Sequence, residues 1–395
     1  MESIRDKVAI IGAGCTKFGE HWDRSAQDLI VEAVYEAIDD AKIEPKDIQA
    51  AWLGIVWSGE SGVFLSYALR SQYIPVTRVE NRCGSGIDAL RNAAYAVAAG
   101  VYDIVLAVGA EKLKDSGIVG VPAFGSEAHP AYTSGLGGGP AGEFAFRATR
   151  YFHRYGISYE KGKETLAKIA VKNHYNGTLN PKAHLQREIT LEQAINAPII
   201  AWPLGLFDCC PVSDGAAAAI LCRADLAKNF RQDPIFVKGL GLSCGPGDYS
   251  KDDVDLTHFE ETVMASKQAY VQAGIKDPLA ELSLAEVHDC FTITELLIYE
   301  DLGLCPRGQA TECVNSDVFA LRGKLPVNPD GGLKCFGHPL GASGLRMTYE
   351  IYKQLQGKAG ARQIEKPKLG LVHNLGLIMG GSAVCGVAIF GKELG

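Results

Sequence analysis

The 395-residue sequence contains no apolar run long enough to span a bilayer, no run of basic residues, and no CxxC or other metal-ligand spacing among its eleven cysteines. The first absence argues against a transmembrane helix, which needs about 20 consecutive apolar residues. The second, with a net charge of −7 and a pI near 5.8, argues against a nucleic-acid partner, because phosphate binding needs clustered Lys and Arg. The third, with an odd number of cysteines, argues against a disulfide framework and against a bound metal. The start, MESIRDKVAIIGAG, lacks the charged, apolar and small-residue order of a signal peptide, so a cytoplasmic location is expected. Within it GAGCTKFG lacks the GxGxxG spacing, and no acidic residue closes a second strand at the required distance, which argues against a nicotinamide site.

What is present is an ordinary globular composition, 47% hydrophobic and 22% charged, with 45 glycines that point to many tight turns. This length exceeds what one core supports, so two domain-sized units are expected. VAIIGAG reads as a strand, and Ala26 to Ala41 as a helix from the spacing of Leu29, Ile30, Val34 and Ile38. Ala51 to Trp57, Val76 to Glu80 and Ile104 to Val108 read as strands and Ile87 to Ala99 as a helix. This alternation predicts a mainly parallel sheet covered on both faces. From about Lys114 to Ala201 the pattern changes to glycine-rich SGLGGGP, aromatic FAFRATRYFHRYG and polar helices, which we read as an inserted loop subdomain. Strands Ala216 to Cys222 and Ile235 to Cys244 return to the core, and the theme repeats after about residue 250, beginning with a helix over His258 to Ala273. Two similar halves are expected: residues 1–245, with the subdomain at about 114–201, and residues 246–395.

Several residues sit where chemistry is expected. VENRCGSGIDAL and AEVHDCFTITEL each run from an apolar strand through a cysteine at a turn into an amphipathic helix, so two facing turns would bring both thiols into one pocket. Gly84 and Gly86 let the chain turn tightly at Cys83, and the following helix directs free N–H groups at the sulfur, which lowers a thiol pKa and favours the nucleophilic thiolate. A packed cysteine is the other reading. His338, framed by glycines and a proline in GGLKCFGHPLGASG, suits a base or an oxyanion donor, or a histidine that satisfies loop carbonyls. His288, Asp289 and Cys290 cluster at a strand end, with Asp289 read as a cap for the next helix. His373 and Asn374 mark another strand end, where holding the turn is as good a reading as catalysis, and Gly380 with Gly381 can turn backbone N–H groups toward an oxyanion.

Together these pieces resemble the thiolase family, in its sterol-carrier-protein type, over essentially the whole chain. The resemblance rests on NRCGSGIDAL around Cys83, DIVLAVGAEKL with Glu111, FDCCPVSDGAAAAIL around Asp214, VHDCFTITEL, GGLKCFGHPLGASG, and VHNLGL followed by GGSAV, in that order. It implies an α/β protein of five α/β/α/β/α layers, two similar halves with a loop subdomain, forming a homodimer or tetramer. It also implies chemistry on acyl-CoA, with coenzyme A as cosubstrate and no permanently bound cofactor. Cys83, deprotonated with help from His338, would attack the 3-oxo carbon of a 3-oxoacyl-CoA; a second cysteine would protonate the released carbanion, and free CoA would take the acyl group. The Claisen condensation reverses these steps. His288 and His338 would stabilise the enolate oxygen, and the Cys83 amide with a glycine near Gly380 the tetrahedral oxyanion. LGLIMGG is longer than the usual turn, which leaves Gly376 and Gly380 both open.

The sequence departs from the best-known thiolases at His288–Asp289–Cys290–Phe291, where they carry Asn-Glu-Ala-Phe, and at His373–Asn374–Leu375–Gly376, where they carry Cys-x-Gly. The sterol-carrier type uses the cysteine of His-Asp-Cys-Phe, which makes Cys290 the second cysteine and leaves Cys385 a strand residue. Bacterial and archaeal members of this kind often work with a small zinc-ribbon/OB-fold subunit, the expected partner here. Phe144 to Tyr155 suggests a bulky or aromatic acyl group if it faces the substrate, or plain packing if it does not. Other readings are a retro-aldolase of the same fold, whose members usually lack the nucleophilic cysteine, a ketoacyl synthase, and a non-catalytic acyl-CoA or lipid-binding subunit.

Overall fold

Two glycines and two alanines set the first layer. In β1 (Val8–Cys15) Gly12 and Gly14 lie so close to helix α1 (Ala26–Ala41) that a Cβ on either would collide with the carbonyls of Ala37 and Ala33. The same device recurs where Gly239 and Gly241 of β8 (Ile235–Cys244) abut Ala269 and Ala265 of α6 (Glu260–Ala273). The GAG of the first strand therefore serves helix packing, and its repetition is the imprint of a duplicated unit. The computed structural model describes residues 3–71, 73–116, 139–245, 255–377 and 383–395.

The remaining strands are β2 (Ala50–Gly54), β3 (Val76–Val79), β4 (Ile104–Glu111), the hairpin β5 (Ile199–Ala201) and β6 (Leu204–Gly205), β7 (Gly215–Arg223), β9 (Leu284–Glu286), β10 (Leu369–Leu377) and β11 (Ala383–Gly391). The other helices of eight or more residues among those described are α2 (Gly62–Leu69), α3 (Ser85–Ala98), α4 (Pro140–Arg154), α5 (Tyr159–Thr178), α7 (Thr292–Asp301) and α8 (Leu340–Leu355). The large sheet has the order β3-β2-β4-β7-β1-β8-β11-β10-β9, and the two halves join only where β1 meets β8 through Ala9↔Phe236 and Ile10↔Ile235. Read outward from that seam the halves match: first strand, last strand, then an antiparallel neighbour followed by a parallel one.

The sheet is mixed, which corrects the expectation of a mainly parallel one. Among the strand pairs of the described residues only β2–β3, β2–β4 and β9–β10 run parallel. The chain between β4 and β7 forms the inserted segment instead of a compact crossover helix, so β7 returns antiparallel to both β4 and β1.

Helices cover the sheet in layers. α1 packs outside the first half and α6 outside the second, while α3 and α8 fill the space between the halves, α8 touching β4 and β7 on one side and β9 and β10 on the other. This is the five-layered α/β/α/β/α arrangement. Every residue of α8 except Lys353 is buried, so its sequence is apolar or paired nearly all round. The inserted segment packs α4 and α5 on α7. Phe144 stacks on Phe291 at 4.6 Å, and Asn173 donates to Asp289 at 2.9 Å and to Glu295 at 2.6 Å. Phe144, Tyr151 and Phe152 are buried core, so most of this aromatic stretch packs; residues 117–138, including most of SGLGGGP, lie outside the described residues.

The topology also corrects the pairing of the two cysteine turns. β9 lies parallel beside β10 as β2 lies beside β4, so α7, which follows β9, is the counterpart of α2. The counterpart of α3, and of the Cys83 turn, is α8 with the His338 turn.

Candidate active site

The crossing of α3 and α8 positions the site. A Cβ on Gly86 would lie 2.5 Å from the Gly341 carbonyl, and one on Gly344 would lie 2.5 Å from the Ile87 amide, so glycine alone permits this approach. It brings the amino ends of both helices together, with Cys83 before one and His338 before the other. Cys290 precedes α7, so three helix amino termini, each a partial positive charge, meet around one point.

The Cys83 turn is tight. Gly84 N donates to Asn81 O at 2.9 Å and Ser85 N to Arg82 O at 3.0 Å. Arg82 has φ of +52°, a left-handed conformation that costs a side-chain-bearing residue energy and here aims the next residue inward. The end of β10 backs this turn, since a Cβ on Gly376 would sit 2.5 Å from Asn81 O.

The Cys83 sulfur and a ring nitrogen of each of His288 and His338 all lie within 4.8 Å of one another. The two imidazoles meet edge to face, centroids 5.0 Å apart at 86°. His338 Nδ1 is 2.7 Å from Ser343 Oγ, which itself donates to Pro339 O at 3.0 Å. The hydroxyl can thus only accept from the ring, which puts the proton on Nδ1 and leaves Nε2 bare, buried and without a partner. Burial, and next the charge of Arg346, push His338 down to about 3. His288 Nδ1 is 3.1 Å from Asn374 Nδ2, and burial followed by His338, His373 and Arg346 lowers its pKa well below the imidazole value.

Burial pushes the Cys83 thiol up to about 12, with Arg82 the main opposing charge. The lowering expected from the helix terminus alone is therefore outweighed in the empty site, and the sulfur rests as a thiol. Cys290 is buried with its sulfur 3.7 Å from Thr294 Oγ1; burial, then Cys210 and Cys83, raise its pKa well above that of a free thiol. A thiol so held stays protonated at neutral pH.

The neighbours are structural. Asp289 accepts from Leu333 N at 2.6 Å and Lys334 N at 3.1 Å, capping the one-turn helix Gly332–Phe336 and not the next helix in sequence as expected. His373 is tied to Thr262 at 3.0 Å. Glu111 accepts from the amides of Val56, Trp57 and Ser58, and Asp214 holds Lys112, Lys114 N and His21 N, so both staple loops. Behind the histidines the fully buried Arg346 pairs with Glu286 and Asp330, each at 2.5 Å. Gly380 and Gly381 lie outside the described residues.

Two family models match the chain, Thiolase, N-terminal domain, over residues 8–225 and Thiolase C-terminal domain-like over residues 248–392. This chain belongs to the thiolase family. Among curated relatives, an acetyl-CoA acetyltransferase of Methanothermobacter thermautotrophicus is 39% identical over 96% of this chain and 99% of its own length. Sterol carrier protein 2 of Oryctolagus cuniculus is 33% identical over 96% of this chain and 71% of its own. Benzoylsuccinyl-CoA thiolase subunit BbsB of Thauera aromatica is 33% identical over 94% and 95%. The solved Ltp2-ChsH2(DUF35) aldolase superimposes with a TM-score of 0.86 at 28% identity, covering 99% of both chains.

In this thiolase-family site, sequence reasoning missed Ser343, which fixes the His338 tautomer, and Cys210, whose amide donates to Cys290 O at 2.9 Å. Ser343 was legible only as the small residue of GASG, five positions beyond the histidine. Asn374 was noted as a strand-end residue, but its contact with His288 was not foreseen.

Proposed function

We propose that the protein is an acyltransferase that cleaves a 3-oxoacyl-CoA with coenzyme A, or runs the reverse Claisen condensation, through a thioester on Cys83. The convergence of the Cys83 sulfur with the nitrogens of His288 and His338 within 4.8 Å carries this reading. His338 Nε2 takes the Cys83 proton as the sulfur approaches the 3-oxo carbon, so thiolate and imidazolium arise as a pair and each offsets the other's burial. The C2–C3 bond then breaks, its electron pair forming an enolate whose oxygen receives a hydrogen bond from His288, and Cys290 gives its proton to C2. The CoA thiol then gives its proton to the Cys290 thiolate as its sulfur attacks the acyl-Cys83 carbonyl, and the departing Cys83 thiolate takes back the proton held by His338. The Cys83 amide and Gly376 or Gly380 bind the tetrahedral oxyanion. Coenzyme A is a cosubstrate, with no resident cofactor.

The relative named as a benzoylsuccinyl-CoA thiolase subunit supports a bulky or aromatic acyl group, and the aldolase solved with a DUF35 subunit supports a small zinc-ribbon/OB-fold partner. We take the enzyme to be a cytoplasmic homodimer or tetramer, with its halves dividing between β7 and β8 instead of near residue 245, since β8 pairs with β11 of the second half. The described residues include no helix long and apolar enough to cross a membrane.

Intact mass after brief exposure to acetyl-CoA or acetoacetyl-CoA, with peptide mapping, tests the mechanism. An acyl group on Cys83, lost in Cys83→Ala and retained in Cys290→Ala, is expected. The similarity to an aldolase favours a second reading, in which no adduct forms and Cys83→Ala still cleaves a 3-hydroxyacyl-CoA.

A further inference from the structure

Cys83, His288 and His338 are far apart in sequence, which is why no metal-ligand spacing was visible, yet they present one sulfur and two imidazole nitrogens to a common point. We propose that these three side chains form a binding site for a thiophilic divalent cation of the Zn2+ type, and that occupancy shuts the nucleophile off reversibly.

The donor set is that of a three-ligand zinc site with an open fourth position. Ligand atoms around tetrahedral zinc, at bond lengths of about 2.0–2.3 Å, are about 3.3–3.7 Å apart. The observed separations, none above 4.8 Å, close to that range with side-chain rotations of about an ångström.

Three further observations support it. His338 Nε2 is a buried lone pair with no partner, already in the tautomer a metal requires. His338 is anchored through Nδ1 by Ser343 Oγ at 2.7 Å, the outer-shell arrangement that orients metal-ligating histidines, and His288 Nδ1 lies 3.1 Å from the Asn374 side-chain amide. Asn374 Oδ1 is also buried without a partner. Turning this amide over would place Oδ1 on a His288 Nδ1–H, satisfy the orphan oxygen and free Nε2 as a ligand. Binding releases the thiol proton to solvent and leaves a metal thiolate, so ion and acyl group compete for one sulfur.

Metal binding of this kind is independent of which reaction Cys83 performs. The test uses metal-stripped full chain titrated with Cd2+, read by the sulfur-to-cadmium charge-transfer band, with Zn2+ as competitor. One tight equivalent per chain is expected, absent in Cys83→Ala and in His338→Ala, and weakened about 10- to 100-fold in Ser343→Ala, the range for loss of an outer-shell partner. In unsubstituted protein, Zn2+ should shield Cys83 from iodoacetamide while exposed Cys244 still labels, a readout that needs no variant to fold. Equal labelling of Cys83 with and without Zn2+, or a tight equivalent that survives Cys83→Ala, would overturn the site. Shielding of Cys83 in a protein that forms no acyl adduct would leave the site standing and remove the thiolase reaction.

Discussion

Replacing Ser343 with alanine isolates the claim that His338 is the base for Cys83. Ser343 Oγ accepts from Nδ1 at 2.7 Å and touches no other part of the site. When His338 takes the thiol proton, that bond becomes one from a cation. Hydrogen bonds to charged groups contribute about 1.5–3 kcal/mol against about 0.5–1.5 for neutral ones, so the imidazolium loses about 1–1.5 kcal/mol more than the resting ring. At 1.36 kcal/mol per tenfold, acylation should slow by about 5- to 13-fold. The assay is quench-flow intact mass with acetyl-CoA, following the acyl-Cys83 population, with iodoacetamide alkylation as a substrate-free check on the same proton transfer. Both rates should fall together. Ser343→Ala protein with an unchanged melting temperature that acylates at the original rate would refute the assignment of His338 as the base.

Replacing Arg346 with methionine leaves the buried carboxylates of Glu286 and Asp330 unpaired, and chemical denaturation should report a loss of about 3–5 kcal/mol. Gly376→Ala drives a methyl into Asn81 O and shifts the Cys83 turn; since a displacement of about 1 Å costs on the order of a hundredfold in rate, acylation should fall far more than the melting temperature. In acid, His338 and His373, both drawn down to about 3 from an ordinary 6.5, cost stability as pH falls through that interval because the unfolded chain binds the protons first. Glu111, Asp289 and Asp301, raised to about 7 from 4.5, 3.8 and 3.8, act in the opposite sense until their unfolded-state values are passed. The loss should therefore concentrate between about pH 3.8 and 3, and melting curves across pH 7 to 3 will show whether the decline instead begins near neutrality.

The strands and helices were legible because their apolar residues recur at the right intervals, as in Leu29, Ile30, Val34 and Ile38 of α1. Strand direction was not, because it depends on where a chain re-enters the sheet, and β7 re-enters only after the long inserted segment. Cys83 and His338 were legible through the glycines that frame them. Their partnership came only from the family resemblance, because in the structure it follows from a crossing of α3 over α8 that rests on Gly86, Gly341 and Gly344, while local similarity alone paired the Cys83 turn with the Cys290 turn. The Cys83 pKa went the other way because a helix terminus is visible in sequence and the density of surrounding protein is not.

α8 packs against strands of both halves at once, and the candidate site draws on both, Cys83 from one and His288, Cys290 and His338 from the other. Neither half can be detached without splitting the cluster of Cys83, His288 and His338.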